Sequence, residues 1–215
     1  MCGRYEGFDI SNVREHFPLP RKTTLDLKNW HGRNNVRPTN MMPVVTLKDG
    51  KFDIELMRWQ LILSYPGKEF KVINTRKDKL TGTYRQYFEK HRCAVLANGF
   101  YEWLTGDKIP YYFSLKDQPL FSFAGIYQEG EQYNSFSIIT GEPNGLVRPY
   151  HDRQAVILPK ELEQRWLDPS METGALLNML APLPAELMQV SHGYIEPTAP
   201  ADLNIYKNQK TPAEL

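Results

Sequence analysis

Along this 215-residue chain, apolar positions come in short runs separated by Gly, Asp and Pro rather than at helical spacing, which is the pattern of antiparallel strands. Val44–Leu47 and Phe52–Arg58 flank Lys48-Asp49-Gly50-Lys51, where Asp-Gly accepts the positive φ of a tight hairpin turn. Further strands are predicted over Cys93–Leu96, Tyr111–Leu115, Leu120–Tyr127, Ser135–Thr140 and Ala155–Leu158. Helices fall between them. One runs through Val13, Arg14 and Phe17, capped by Asp9 or Ser11, and one covers Thr83–His91 with Tyr84, Tyr87 and Phe88 on a single face. Lys160–Leu167 follows Pro159, a residue suited to a first helical turn, and Glu172–Leu180 and Ala185–Gln189 also read as helical. Residues 18–40 are irregular and long for a passive connection, and the tail beyond Pro197 is expected to be loosely ordered. With no repeat or boundary in sight, the pattern predicts one α+β domain over residues 1–215: a curved, largely antiparallel sheet flanked by helices.

Composition adds that a real core is available, at 41% hydrophobic and 12% aromatic residues. No apolar run approaches the roughly 18 residues of a membrane span, and the amino terminus lacks a signal-peptide pattern. The two cysteines, Cys2 and Cys93, suit a reducing compartment, so a cytoplasmic location is expected. The net charge of +1 hides an asymmetry. Lys68–Arg92 holds eight Lys/Arg against three carboxylates, whereas Glu161 to the end holds three against eight. The basic segment is either a solvated helix face or the footprint of a phosphate-backbone binder.

Four constellations can carry chemistry. Cys2 directly follows the initiator in Met1-Cys2-Gly3-Arg4, and a small second residue permits removal of Met1. The exposed 1,2-aminothiol condenses with an aldehyde to an imine, on which the thiol closes as a thiazolidine. Its α-amine, with an ordinary pKa of about 7.7–8.0, is nucleophilic near neutrality. Arg4 offers a planar fork for a phosphate. Asn74 and Arg76 end a short apolar run; they suit an amine or oxyanion and a phosphate, or else a turn and a surface charge. Glu102 sits between Tyr101 and Trp103, where desolvation fits a carboxylate for proton transfer, unless an arginine such as Arg92 locks it. His151, beside Asp152 at the start of a strand, suits general acid/base work. His and carboxylates show no ligand spacing, so no metal is predicted, and no phosphate-binding glycine loop or other cofactor motif is present.

In order, these segments resemble the SRAP family, the SOS-response-associated peptidases or abasic-site processing proteins. The markers are Met1-Cys2-Gly3-Arg4, Val36-Arg37-Pro38-Thr39, Trp59 with Leu61-Ile62, Asn74-Thr75-Arg76, Gly99-Phe100-Tyr101-Glu102-Trp103, Pro110-Tyr111, Phe123-Ala124-Gly125, Ser137–Thr140 and His151-Asp152-Arg153. The resemblance implies a barrel-like core. It also implies self-removal of Met1 and capture of the abasic-site aldehyde in single-stranded DNA as a thiazolidine crosslink on Cys2. By the same resemblance, Asn74 orients the amine, Glu102 moves protons, and His151 assists imine formation and contacts the sugar. Arg4 and Arg76 would grip phosphates, and Pro38 and Trp59 would shape the DNA path. The protein would act as a monomer, with no required protein partner and no membrane. Three segments depart from the family pattern. Trp-Gly-Leu-Ile-Pro-Ser-Trp is here Trp59-Gln60-Leu61-Ile62-Leu63-Ser64-Tyr65, Thr75 replaces an Ala, and Gln154-Ala155 replaces Met-Pro. Two other readings stand beside this one: a cysteine peptidase built on Cys2, His151 and Glu102, and a non-catalytic binder of single-stranded DNA.

Overall fold

The computed structural model describes residues 2–7, 9–65, 67–104, 106 and 108–193. Met1 and the tail beyond Pro197 lie outside them. The strands are β1 (Arg4–Glu6), β2 (Met41–Lys48), β3 (Lys51–Trp59), β4 (Leu61–Tyr65), β5 (Lys68–Val72), β6 (Asn74–Arg76), β7 (Arg92–Ala97), β8 (Gly99–Trp103), β9 (Pro110–Leu115), β10 (Phe121–Gln128), β11 (Ser135–Gly141), β12 (Gln154–Ala155), β13 (Ile157–Leu158) and β14 (Met188–His192). The predicted hairpin is β2–β3, with Lys48 opposite Lys51 and positive φ at Asp49 and Gly50.

Neighbouring strands run β11-β3-β2-β7-β10, and β10 pairs back onto β11 through Gly125↔Ile138 to Gln128↔Ser135. The sheet therefore closes on itself, which removes its edges. A second sheet, β1-β8-β9-β14, packs against it, and β4-β5 forms a separate pair. The closed strands are buried on both sides. Met42, Val44, Cys93, Val95, Phe121 and Phe123 enter one apolar cluster with Tyr5, Phe100 and Phe113 of the second sheet. Val45, Ala94, Leu96, Ala124 and Ile126 enter another. That double burial is why these strands read as continuous apolar runs instead of clean alternation.

The helices cover the second cluster through Val13, Phe17, Phe88, Trp166 and Leu176. They are shorter than the apolar pattern predicts: α1 (Val13–His16), α2 (Arg85–Lys90), α3 (Glu163–Leu167) and α4 (Thr173–Met179). Neither Asp9 nor Ser11 caps α1; Asp9 instead accepts the Ser11 N–H at 2.8 Å. The helix predicted over Ala185–Gln189 is only a 3-10 turn at Ala185–Leu187, after which the chain becomes β14. A five-residue segment gains little from helix propensity. Pairing with β9, from Met188↔Leu115 to His192↔Tyr111, satisfies a whole strand edge.

Arg92 is not the partner of Glu102. It is buried, and its guanidinium donates to four carbonyls: Trp166 and Asp168 at the end of α3, and Phe88 and Glu89 at the end of α2, all at 2.7–2.8 Å. One cation thus satisfies the orphan acceptors of two helix ends and binds both to β7. Arg92→Lys keeps the charge but loses the planar fork. It should lower unfolding stability by about 2–4 kcal/mol, read as a lower urea midpoint; an unchanged midpoint would show that the carbonyls find other donors.

Candidate functional site

The chain start is fixed by the second sheet. β1 lies antiparallel to β8, with Arg4 opposite Tyr101 and Glu6 opposite Gly99. Gly99 has to be glycine, because a Cβ there would fall 2.3 Å from Tyr112, whose hydroxyl donates to the Glu6 carboxylate. On the other side Tyr5 and Val36 exchange backbone hydrogen bonds of 3.3 and 2.9 Å. These contacts lead the chain start back towards Glu102.

The loop after Val36 is strapped over Trp59. Asn40 Oδ1 accepts the Arg37 N–H at 2.9 Å, and the Thr39 N–H reaches Trp59 O at 2.7 Å. Thr39 holds φ at 79°, uncommon for a β-branched residue and sustained here by those bonds. Pro38 is half-buried on this strap. Trp59 itself is fully buried. It meets Tyr5 edge-on, stacks on Phe136, and donates its indole N–H to Ile73 O at 2.8 Å. Its ring faces the core, so a part in shaping the DNA path would be played from beneath and not as an exposed stacking face.

Asn74 is placed by β6, which pairs parallel with β11 through Asn74↔Ile138, Thr75↔Ile139 and Arg76↔Thr140. Thr75, at the family's Ala position, bonds its hydroxyl to Ser137 at 2.8 Å, which helps hold the short ladder. The Asn74 Nδ2 donates to Cys2 O at 2.7 Å. Its Oδ1 is buried with no hydrogen-bond partner among the described residues. A buried acceptor beside Cys2 is suited to an N–H arriving at that residue.

Cys2 is completely buried. Desolvation, followed by the nearby Glu102 charge, pushes its thiol well above the ordinary range, so it is neutral near pH 7. Glu102 is 3% exposed. Burial raises its carboxyl to about 7, with the Asp152 charge adding to the rise. A carboxyl there exchanges a proton at working pH.

His151 approaches from the loop between β11 and β12. Its Nδ1 accepts the Arg153 N–H at 3.0 Å. Asp152 Oδ1 lies 2.7 Å from the same nitrogen, a hydrogen bond whenever that nitrogen carries a proton. Burial lowers the His151 pKa, with Asp152 opposing. Cys2, Asn74 and Glu102 are therefore gathered at one place, with the His151–Asp152 pair coupled to it electrostatically.

Arg4 and Arg76 occupy the rim. Arg4 donates to Asn35 Oδ1 at 2.7 Å; burial and then repulsion from Arg37 lower its pKa, so an anion between the two guanidiniums is favoured. Arg76 is exposed and gripped by Asp78, Nε to Oδ1 at 2.8 Å and Nη2 to Oδ2 at 3.0 Å. Beside it lies a cleft of about 560 Å³ lined partly by Lys77, Thr81 and Arg153. Among the described residues, no three His, Cys, Asp or Glu converge as a metal site, and no helix is long and apolar enough to cross a membrane.

Sequence reasoning missed the amides that aim His151. Asn144 Oδ1 accepts the N–H groups of Leu146 and Val147 at 3.1 and 3.0 Å, and its Nδ2 donates to Leu183 O at 2.8 Å. Gln154 Oε1 in turn takes the Asn144 N–H at 3.0 Å, and the His151 N–H closes the turn on Val147 O at 3.1 Å. The Asn-Gly pair at 144–145 is a turn signal that marked this loop. Gln154, which departs from the family pattern, has a definite structural task.

Comparison with known proteins agrees with this architecture. The family model SRAP, SOS response associated peptidase, matches residues 1–193. The chain is 32% identical over 204 residues to the abasic site processing protein YoqW of Bacillus subtilis, covering 88% of this chain and 90% of that one. It is 32% identical over 147 residues to the abasic site processing protein HMCES of Xenopus tropicalis, covering 52% and 44% respectively. A crystal structure of a Bacteroides thetaiotaomicron protein superimposes with a TM-score of 0.76 at 26% identity, covering 89% of this chain and 91% of the other. Matched from its first residue to the end of its second sheet, and sharing that fold, the chain belongs to the SRAP family.

Proposed function

We propose that this protein processes abasic sites by trapping them covalently in single-stranded DNA through Cys2. The observation that carries this reading is the Asn74 amide, which donates to Cys2 O while keeping a buried acceptor beside that residue. Met1 is first removed by the protein's own peptidase activity, which frees the α-amine of Cys2. The amine attacks the ring-opened aldehyde and an imine forms with loss of water. The thiol S–H then adds across the C=N bond: sulfur takes the carbon, nitrogen takes the proton, and a thiazolidine results. Asn74 Oδ1 orients the amine. Glu102, poised near pH 7, removes and returns the protons. His151, in its protonated form, gives a proton to the departing oxygen. Arg4 and Arg76 hold the flanking phosphates, so recognition depends little on base sequence. The naming of relatives as abasic site processing proteins supports this reading.

A dedicated cysteine peptidase fits less well. Its nucleophile is a thiolate, whereas burial keeps the Cys2 thiol protonated. The His151 Nδ1 is also engaged by Arg153 and Asp152 rather than by Cys2.

On a denaturing gel, protein lacking Met1 and incubated with single-stranded DNA bearing one abasic site should give a shifted, heat-stable band. Cys2→Ala and Cys2→Ser, which keep the α-amine but lose the thiol, should give no heat-stable band and only a reversible imine that borohydride fixes; a full stable yield from either would remove the thiazolidine step. Glu102→Gln should slow trapping by about 10²-fold or more. The wild-type trapping rate should rise with pH through about 7, as Glu102 becomes the free base. In Glu102→Gln that inflection should vanish, leaving the one at about 7.7–8.0 expected of an α-amine. Persistence of the lower inflection in the variant would assign it to another group.

A further inference from the structure

The Arg76–Asp78 pair has a chemistry that the trapping reaction does not use. The guanidinium presents its Nε–Nη2 edge to both carboxylate oxygens at 2.8 and 3.0 Å, the fork geometry that a phosphate also accepts. Both side chains are more than half exposed, at 56% and 54%, so the pair is not locked in a core. Behind it lies the cleft of about 560 Å³, where Arg76, Lys77 and Arg153 are matched in number by Asp78, Glu142 and Asp152. Its cations are thus balanced before any ligand arrives. Lys77 is drawn towards the end of α4 by its bond to Leu180 O at 3.2 Å. Asp78 itself stands on the 3-10 turn Lys77–Lys79, immediately after β6.

We propose that Asp78 is a built-in competitor for the DNA strand. In the free protein it occupies the seat on Arg76 that a backbone phosphate takes, and the cleft behind it is a phosphate subsite whose affinity Asp78 sets. A strand entering the site exchanges the carboxylate for a phosphate on the same guanidinium edge, and the 3-10 turn releases Asp78 to water. Undamaged DNA is thereby held weakly, because the phosphate that seats on Arg76 must displace an anion already in place. Retention is left to the covalent step. The inference rests on the proposed function for the identity of the ligand.

The test uses undamaged single-stranded DNA, so that no covalent step contributes, titrated across a range of salt concentrations. Asp78→Asn, an exposed and nearly isosteric change, should tighten binding about two- to fivefold. It should also steepen the dependence of log affinity on log salt by up to about 0.7, the contribution of one restored cation. In an Arg76→Ala background the same substitution should change neither quantity. Unchanged or weaker binding in Asp78→Asn would overturn the proposal by making Asp78 a support that aims Arg76. Equal tightening in the Arg76→Ala background would also overturn it, by reducing Asp78 to a general surface charge. Failure of the wild type to crosslink abasic DNA would instead remove the proposed function, and the titration would read independently of it.

Discussion

The arrangement hangs on a three-residue parallel ladder, Asn74–Arg76 against Ile138–Thr140. It sets one end of β6 beside Cys2 and the other at the rim of the cleft. Asn74 and Arg76 are on the same strand two residues apart, so their side chains leave on the same side. Yet one is fastened inward to a backbone carbonyl and the other lies exposed against a carboxylate. So short a ladder holds only because its surroundings hold it. The Trp59 indole clamps Ile73 O, Ser137 takes the Thr75 hydroxyl, and β11 is itself fixed by closure onto β10. The buried aromatic cluster beneath β6 is thus a condition of the chemistry above it.

Burial has opposite consequences for the two reactive groups it encloses. For Cys2 it suppresses the thiolate, so the first nucleophile in the proposed reaction has to be the amine. For Glu102 it brings a carboxyl to the pH at which it can both take and give a proton. The Glu102 charge also adds to the rise at the thiol. A site of this kind suits an addition in which the thiol reacts after its partner carbon has already been activated as an imine.

The departures from the family pattern become intelligible one by one. Thr75 adds a hydroxyl bond where Ala would add none, and Gln154 carries the amide chain that aims the His151 loop. Tyr65, in place of the second Trp, has a side chain outside what the structure describes. Trp59 is the clearest lesson about motifs. An aromatic next to chemistry-bearing residues read as a contact surface, and it proves to be the floor on which they stand.

By itself the sequence determined the strands at the heart of the fold, because double burial writes itself as unbroken apolar runs, and it fixed the β2–β3 turn through Asp49-Gly50. It also supplied the candidate reactive residues, since Cys2, Asn74, Glu102 and His151 are chemically distinctive wherever they fall. Tertiary structure alone decided closure of the sheet, because β10–β11 pairing joins residues whose periodicity carries no record of a partner. It decided that Ala185–Gln189 ends in a strand, because an open β9 edge outweighed local propensity. It decided that Arg92 serves two helix ends and not Glu102, and that Asp78 sits on Arg76. Which donor meets which acceptor depends on where distant segments dock, and a one-dimensional pattern of polar and apolar positions records that a side chain is buried without recording beside what.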